Sequence, residues 1–140
     1  MSEQKQGPAP AVPAATILLL RPTADDLEVF MVVRHHQIDF ASGALVFPGG
    51  KADPQDFDEA LLPWLHGAAD DRDMRAIQVS AIREAFEECG VLLAREQGSA
   101  ELVPGKRLAQ LERYREPLNN GEIALLDFLR DEKLIFACDT

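Results

Sequence analysis

Residues 83–91 read REAFEECGV, which sets Glu84, Glu87 and Glu88 within two turns of a helix, with Arg83 beside them and Gly90 at the end. Positions i, i+3 and i+4 share one helical face. Glu84 and Glu88 form a like-charge i,i+4 pair, an arrangement that destabilises a helix by about 0.2–0.5 kcal/mol. Arg83, four residues before Glu87, is the only cation near that face. Three converging carboxylates become favourable when a hard divalent cation neutralises them. Mg2+ takes oxygen ligands and keeps waters that a substrate phosphate can displace. The alternative is a solvated acidic face on an acidic protein.

The whole chain bears on that choice. Its 140 residues suit one domain with a buried core, and its 46% hydrophobic content is that of a globular protein. The formal net charge of −10 argues against a nucleic acid or an anionic membrane as partner. An acidic protein still binds anionic phosphates where divalent cations lie between them. The two cysteines, Cys89 and Cys138, are far apart and form no C-x-x-C pair, so neither a disulfide framework nor a zinc site is expected. Reduced thiols of this kind suit a cytoplasmic protein. The Pro- and Ala-rich stretch 1–13 is expected to be a disordered arm. The following ATILLL is too short for a signal-peptide core or a membrane span.

The elements that must position the carboxylates follow from pattern. AATILLLRP (14–22, with Ala14 as lead-in) predicts a buried strand, and LEVFMVVRH (27–35) a second strand that completes a hairpin. ALVFPGG (44–50) predicts a third strand running into a sharp turn at Pro48, Gly49 and Gly50. Residues 51–73 read as an irregular excursion with one short helix near 57–62, ended by Pro63, and with Leu61 and Trp64 in a small satellite cluster. The acidic helix comes next, capped by Asp71 or Asp73 and ended by Gly90. Its Ile82, Ala85, Phe86 and Cys89 form an apolar stripe, which predicts that the carboxylates point the other way. Residues 91–96 return to strand, 107–116 and 121–132 predict two helices, and KLIFACDT begins a last strand.

FPGGK followed by REAFEECGV resembles the box of the Nudix hydrolases, G-x5-E-x7-R-E-U-x-E-E-x-G-U, where U is a bulky aliphatic residue. Gly50 takes the place of the first glycine, and Arg83, Glu84, Glu87, Glu88, Gly90 and Val91 match the second half in spacing. Ala85 is smaller than usual at the first U. The standard box has 14 steps from its glycine to its arginine. Gly50 to Arg83 is 33 steps, so 19 residues are inserted. The intermediate glutamate has no clear counterpart: Asp56 holds its place counting forward from Gly50, and Arg75 counting backward from Arg83.

The resemblance implies an α/β (α+β) Nudix fold, a mixed β-sheet sandwiched between helices, over residues 14–140, with an insertion at 51–74. It implies a pyrophosphohydrolase dependent on Mg2+ or Mn2+, with Glu87 and Glu88 as metal ligands and Glu84 as a third ligand or the water-activating base. The carbonyl of Gly50 would complete the metal shell, and Arg83 would orient the carboxylates. Gly49, Gly50 and Arg34 would meet the substrate, Arg34 at a phosphate. Glu122, Asp127 and Asp131 are the late acids available as a further base, and none is assigned. The inserted box, with VVRHHQIDFASGALVFPGGKADPQD ahead of it, is similar to the branch that includes the peroxisomal coenzyme A diphosphatases. That likeness puts coenzyme A or acyl-coenzyme A first as substrate, then ADP-ribose or NADH. A non-catalytic module that binds a nucleotide or a partner protein is the rival reading. By comparison with the family, further strands and a closing helix would follow Thr140. The last strand would then show an unpaired edge that a homodimer would cover.

Overall fold

In a computed structural model that describes residues 7–33 and 43–140, regular structure begins at β1 (Ala14–Thr16). Residues 7–13 are exposed and irregular, although the Pro13 carbonyl accepts from the Ala52 N–H at 2.8 Å. The run expected as one strand over 14–22 is divided. β1 pairs antiparallel with β6 (Gly49–Lys51), whereas β2 (Leu20–Pro22) forms the expected hairpin with β3 (Leu27–Val29). Thr23 and Asp26 close that hairpin, the Thr23 hydroxyl accepting from the Asp26 N–H at 3.0 Å.

The next two expected strands are divided as well. After β3, β4 (Val32–Val33) pairs antiparallel with β5 (Leu45–Val46). Pro48 separates β5 from β6, because its nitrogen carries no hydrogen for a ladder. The Pro48 carbonyl is still used, accepting from Ile17 at 2.9 Å.

The excursion is more ordered than expected. It holds two 3-10 segments, Pro54–Phe57 and Glu59–Trp64, followed by β7 (Leu65–His66). Asp53 and Asp58 cap the two segments by accepting from Gln55 and Ala60, and Pro63 lies inside the second instead of ending it. Leu61 keeps 1% of its surface exposed and belongs to the main core, with Trp64 packed against it. The expected satellite cluster is therefore part of the central one.

The acidic helix is α1 (Arg72–Cys89). Of the two candidate caps, Asp71 is the one used: its carboxylate accepts from the Met74 N–H at 2.8 Å. Gly90 ends the helix at φ 71°, a left-handed conformation that favours glycine. After it come β8 (Ala94–Glu96), α2 (Gly105–Leu111), a 3-10 turn at Glu112–Tyr114, α3 (Arg115–Asn119) and α4 (Leu125–Glu132). Gly121, at φ 71°, turns the chain between α3 and α4 and delays the helix expected from 121. The first turn of α4 receives a cap from outside, as the Leu125 N–H donates to Gln55 Oε1 at 2.9 Å.

The chain then enters β9 (Leu134–Ala137), which lies between β7, parallel to it, and β8, antiparallel to it. The expectation of an unpaired edge on this last strand is overturned, and with it the reason for a covering homodimer: β7 from the excursion occupies that edge. Among the described residues, the expected α/β fold is thus built from four small sheets and four helices. Its core joins α1 to the C-terminal half. Phe86 stacks on Phe128 with ring centroids 5.6 Å apart, and Leu111, Leu125, Leu129 and Leu134 are fully buried around them. Each such side chain contributes about 1.5–3 kcal/mol of burial. No helix among the described residues is long and apolar enough to cross a membrane.

Candidate active site

Two glycines bring β6 against α1. A Cβ on Gly50 would lie 2.6 Å from Glu84 Oε1, and one on Gly49 would lie 2.2 Å from the Ala15 carbonyl of β1. The Gly49 N–H favours the charged form of the Glu88 carboxyl. FPGG therefore sets a bare backbone directly on the helix face that carries the acids.

That face is not the open one the apolar stripe predicted. Arg83 is 5% exposed and Asp56 is 2% exposed, and together they form a buried layer beneath the carboxylates. Arg83 donates Nε to Asp56 Oδ1 and Nη2 to Asp56 Oδ2, both at 2.9 Å. Its remaining nitrogen donates to Glu87 Oε2 at 3.0 Å and to Glu84 Oε1 at 3.2 Å. Glu87 and Glu84 are largely covered, whereas Glu88 is exposed. The first 3-10 segment of the excursion packs on α1 and carries Asp56 into this layer.

The electrostatics follow the geometry. Burial pushes the Glu87 carboxyl above the usual carboxylate range, with Arg83 opposing and Glu84 reinforcing the shift. Although Glu88 is exposed, partial desolvation of its carboxyl and then Glu84 push it up, against the Gly49 N–H. Burial alone would lower the Arg83 pKa, but the bonds and charges of Asp56, Glu87 and Glu84 outweigh it and hold the guanidinium firmly protonated. Among the described residues, Glu87 Oε1 is buried and accepts from no donor. An orphaned carboxylate oxygen in a set of hard oxygen donors fits Mg2+ or Mn2+. Among the described residues, no three His, Cys, Asp or Glu side chains are already gathered as a ligand cluster.

A cleft of about 860 Å3 runs from these residues, lined by Thr16, Val33, Leu45, Phe47, Gly49 and Glu88 among others. A second hollow of about 400 Å3, around His66, Arg95 and Asp139, shares no lining residue with it, and its Arg95 is paired with Asp139 at 2.7 Å.

Of the residues expected at the site, Arg83, Glu84, Glu87, Glu88, Gly49 and Gly50 come together. Arg34 lies outside the described residues. Of the two candidates for the intermediate glutamate, Asp56 meets Arg83, whereas Arg75 donates to the carbonyls of Ala69 and Asp70 at the far end of α1. The late acids are engaged elsewhere: Asp127 and Asp131 with Arg130, Glu122 with Asn120. Arg115, unmarked in the sequence, donates to the last carbonyls of α1.

No protein-family profile and no curated protein matches the chain. Among solved structures, the chain is similar to the crystal structure of a NUDIX hydrolase from Alicyclobacillus acidocaldarius, with 33% sequence identity and a TM-score of 0.64. The match covers 89% of this chain and 56% of that one, so the chain spans little more than half the length of the relative. The fold is that of a Nudix hydrolase, and the likeness supports placing the chain in the Nudix superfamily.

Proposed function

We propose that the chain is a Mg2+- or Mn2+-dependent hydrolase of the pyrophosphate bond in a nucleoside diphosphate linked to another moiety. The observation that carries this reading is Glu87 Oε1, buried without a donor among the described residues, beside Glu84 and above the Arg83–Asp56 pair. A retired site has no reason to keep like charges at that cost.

Glu87 and Glu88 would hold the metal, with the Gly50 carbonyl, and Glu84 would serve as a third ligand or as the base. The cation would supply charge neutralisation for the diphosphate and a lowered pKa for its bound water. In the reaction a water oxygen bonds to one phosphorus, the bridging P–O bond breaks, and the Glu84 carboxylate is the proposed acceptor of the water proton. Arg83 keeps the carboxylates in place through charge-assisted hydrogen bonds and, being buried, does not reach substrate. Bare backbone at Gly49 and Gly50 admits the diphosphate, and Arg34 would face its phosphates. Asp56, six residues after Gly50, is read as the stand-in for the box's intermediate glutamate. That reading takes support from the non-catalytic alternative.

Coenzyme A or acyl-coenzyme A is the leading substrate, then ADP-ribose or NADH, in the cytoplasm. The test is incubation with Mg2+ and each compound in turn, with products resolved by chromatography and Glu88→Gln as control. Cleavage of one compound that the variant loses is expected. Binding of a nucleotide without turnover, in folded protein, would overturn the reading.

A further inference from the structure

The last turn of α1 is an unfavourable place for two glutamates. The C-terminus of a helix carries partial negative charge, which favours cations over carboxylates. α1 has no basic residue in that turn, and Glu87 and Glu88 occupy it instead. Its final carbonyls also need partners. The Gly90 N–H donates to the Phe86 carbonyl at 2.9 Å and the Val91 N–H to the Ala85 carbonyl at 3.3 Å. Among the described residues, no backbone N–H reaches the carbonyls of Glu87 and Glu88.

Arg115, the first residue of α3, fills both gaps. Its Nε donates to the Phe86 carbonyl at 2.9 Å and to the Glu87 carbonyl at 3.3 Å, and its Nη2 donates to the Glu88 carbonyl at 3.0 Å. Glu112, one turn earlier on the same stretch, pairs with Nη1 and fixes the guanidinium. A planar fork thus spans three successive carbonyls, two of which belong to the proposed metal ligands. A lysine would bring the charge without the fork.

We propose that Arg115 is a positioning residue for the metal centre, holding the Glu87 and Glu88 side chains in register by clamping their own backbone carbonyls. Among the described residues it bonds their backbone and not the Glu84, Glu87 or Glu88 carboxylates. It also ties the ligand-bearing turn to α3, next to the Phe86–Phe128 stacking that packs α1 on α4. The inference rests on the metal-dependent reading above.

The test is calorimetric titration of substrate-free protein with Mn2+, for wild type, Arg115→Lys, Arg115→Ala and Glu88→Gln, alongside urea unfolding of each. Arg115→Lys should unfold near the wild-type urea midpoint yet bind Mn2+ about 10–100-fold more weakly, the loss typical of groups that orient ligands. Arg115→Ala should bind as weakly, with added methylguanidinium restoring part of the affinity. Wild-type Mn2+ affinity in Arg115→Lys overturns the inference, as does a loss of affinity matched by a general loss of stability. If Glu88→Gln also keeps wild-type affinity, the metal reading itself has failed. If only Glu88→Gln loses Mn2+, Arg115 alone has been misassigned.

Discussion

Asp56 and Arg83 face each other across two parallel hydrogen bonds of 2.9 Å, with side-chain exposures of 0% and 6%. Asp56 Oδ2 also accepts from the Asp53 N–H at 2.8 Å, while Asp53 accepts from Gln55 at 3.1 Å. A capping box in the excursion therefore locks Asp56, Asp56 locks Arg83, and Arg83 reaches Glu84 and Glu87. The acids of α1 depend on a residue 27 positions before their arginine.

Removing Asp56 leaves Arg83 buried and short of its bidentate partner. Asp56→Ala should destabilise the protein by about 3–5 kcal/mol, the range for breaking a buried pair. Urea unfolding reads this directly. A loss below about 1 kcal/mol, the level of an exposed pair, would mean that Glu84 and Glu87 alone satisfy the guanidinium.

The two glycines should fail differently. A methyl on Gly49 meets backbone, the Ala15 carbonyl at 2.2 Å, so Gly49→Ala must break the β1–β6 pairing and lower the melting temperature. A methyl on Gly50 meets only the end of a flexible side chain, Glu84 Oε1 at 2.6 Å. Gly50→Ala should therefore keep the fold, displace the Glu84 carboxylate and remove most of the hydrolytic activity. Equal melting temperatures for the two variants would contradict this assignment.

Charge at Glu87 should oppose stability while serving the site. Its folded pKa is raised, chiefly by burial. Such a group contributes stability fully present below its unfolded value, about 4.3, and lost as pH rises through the raised folded value. Metal-free Glu87→Gln should then be more stable than wild type at pH 8, with the advantage shrinking on acidification and gone below about pH 4. Mg2+ should raise the wild-type melting temperature more at pH 8 than at pH 5, because the cation competes with the proton. The variant should show no Mg2+ effect and should lose turnover. A variant less stable than wild type at pH 8 would mean that its bond to Arg83 outweighs the burial of its charge.

The helix and its ends were legible because they are local. Asp71, the apolar period and Gly90 all act within α1, and Glu84, Glu87 and Glu88 read as one face from spacing alone. The strands were harder, since Pro48 and the switch of partner between β1 and β2 divide runs that look continuous in hydropathy. The stripe argument also misjudged the acidic face. It treats a helix as packed on one side, and α1 is covered on the other by the Asp56 turn. Counting from Gly50 found Asp56 and counting from Arg83 found Arg75, and only the fold separates a buried partner from a solvent-side one. Arg115 gave no signal, because its contacts are to backbone carbonyls 27 to 29 residues away.

The excursion should prove indispensable to folding, although its sequence reads as an irregular insertion with one short helix. It supplies Leu61 to the main core, β7 to the edge of β9, Gln55 to the first turn of α4 and Asp56 to Arg83. Leu61→Ala should cost about 2–5 kcal/mol, the range for emptying a buried leucine site. Leu62, next in sequence but 45% exposed, provides the control, since Leu62→Ala should change stability by no more than about 0.5 kcal/mol. Urea midpoints of the two variants compare them on one scale. If both changes are small, the segment is a surface appendage and the clamp on Arg83 must be maintained by the capping box alone. If Leu61→Ala falls in the expected range and also lowers Mn2+ affinity, core packing of the excursion and geometry of the carboxylates are coupled through Asp56.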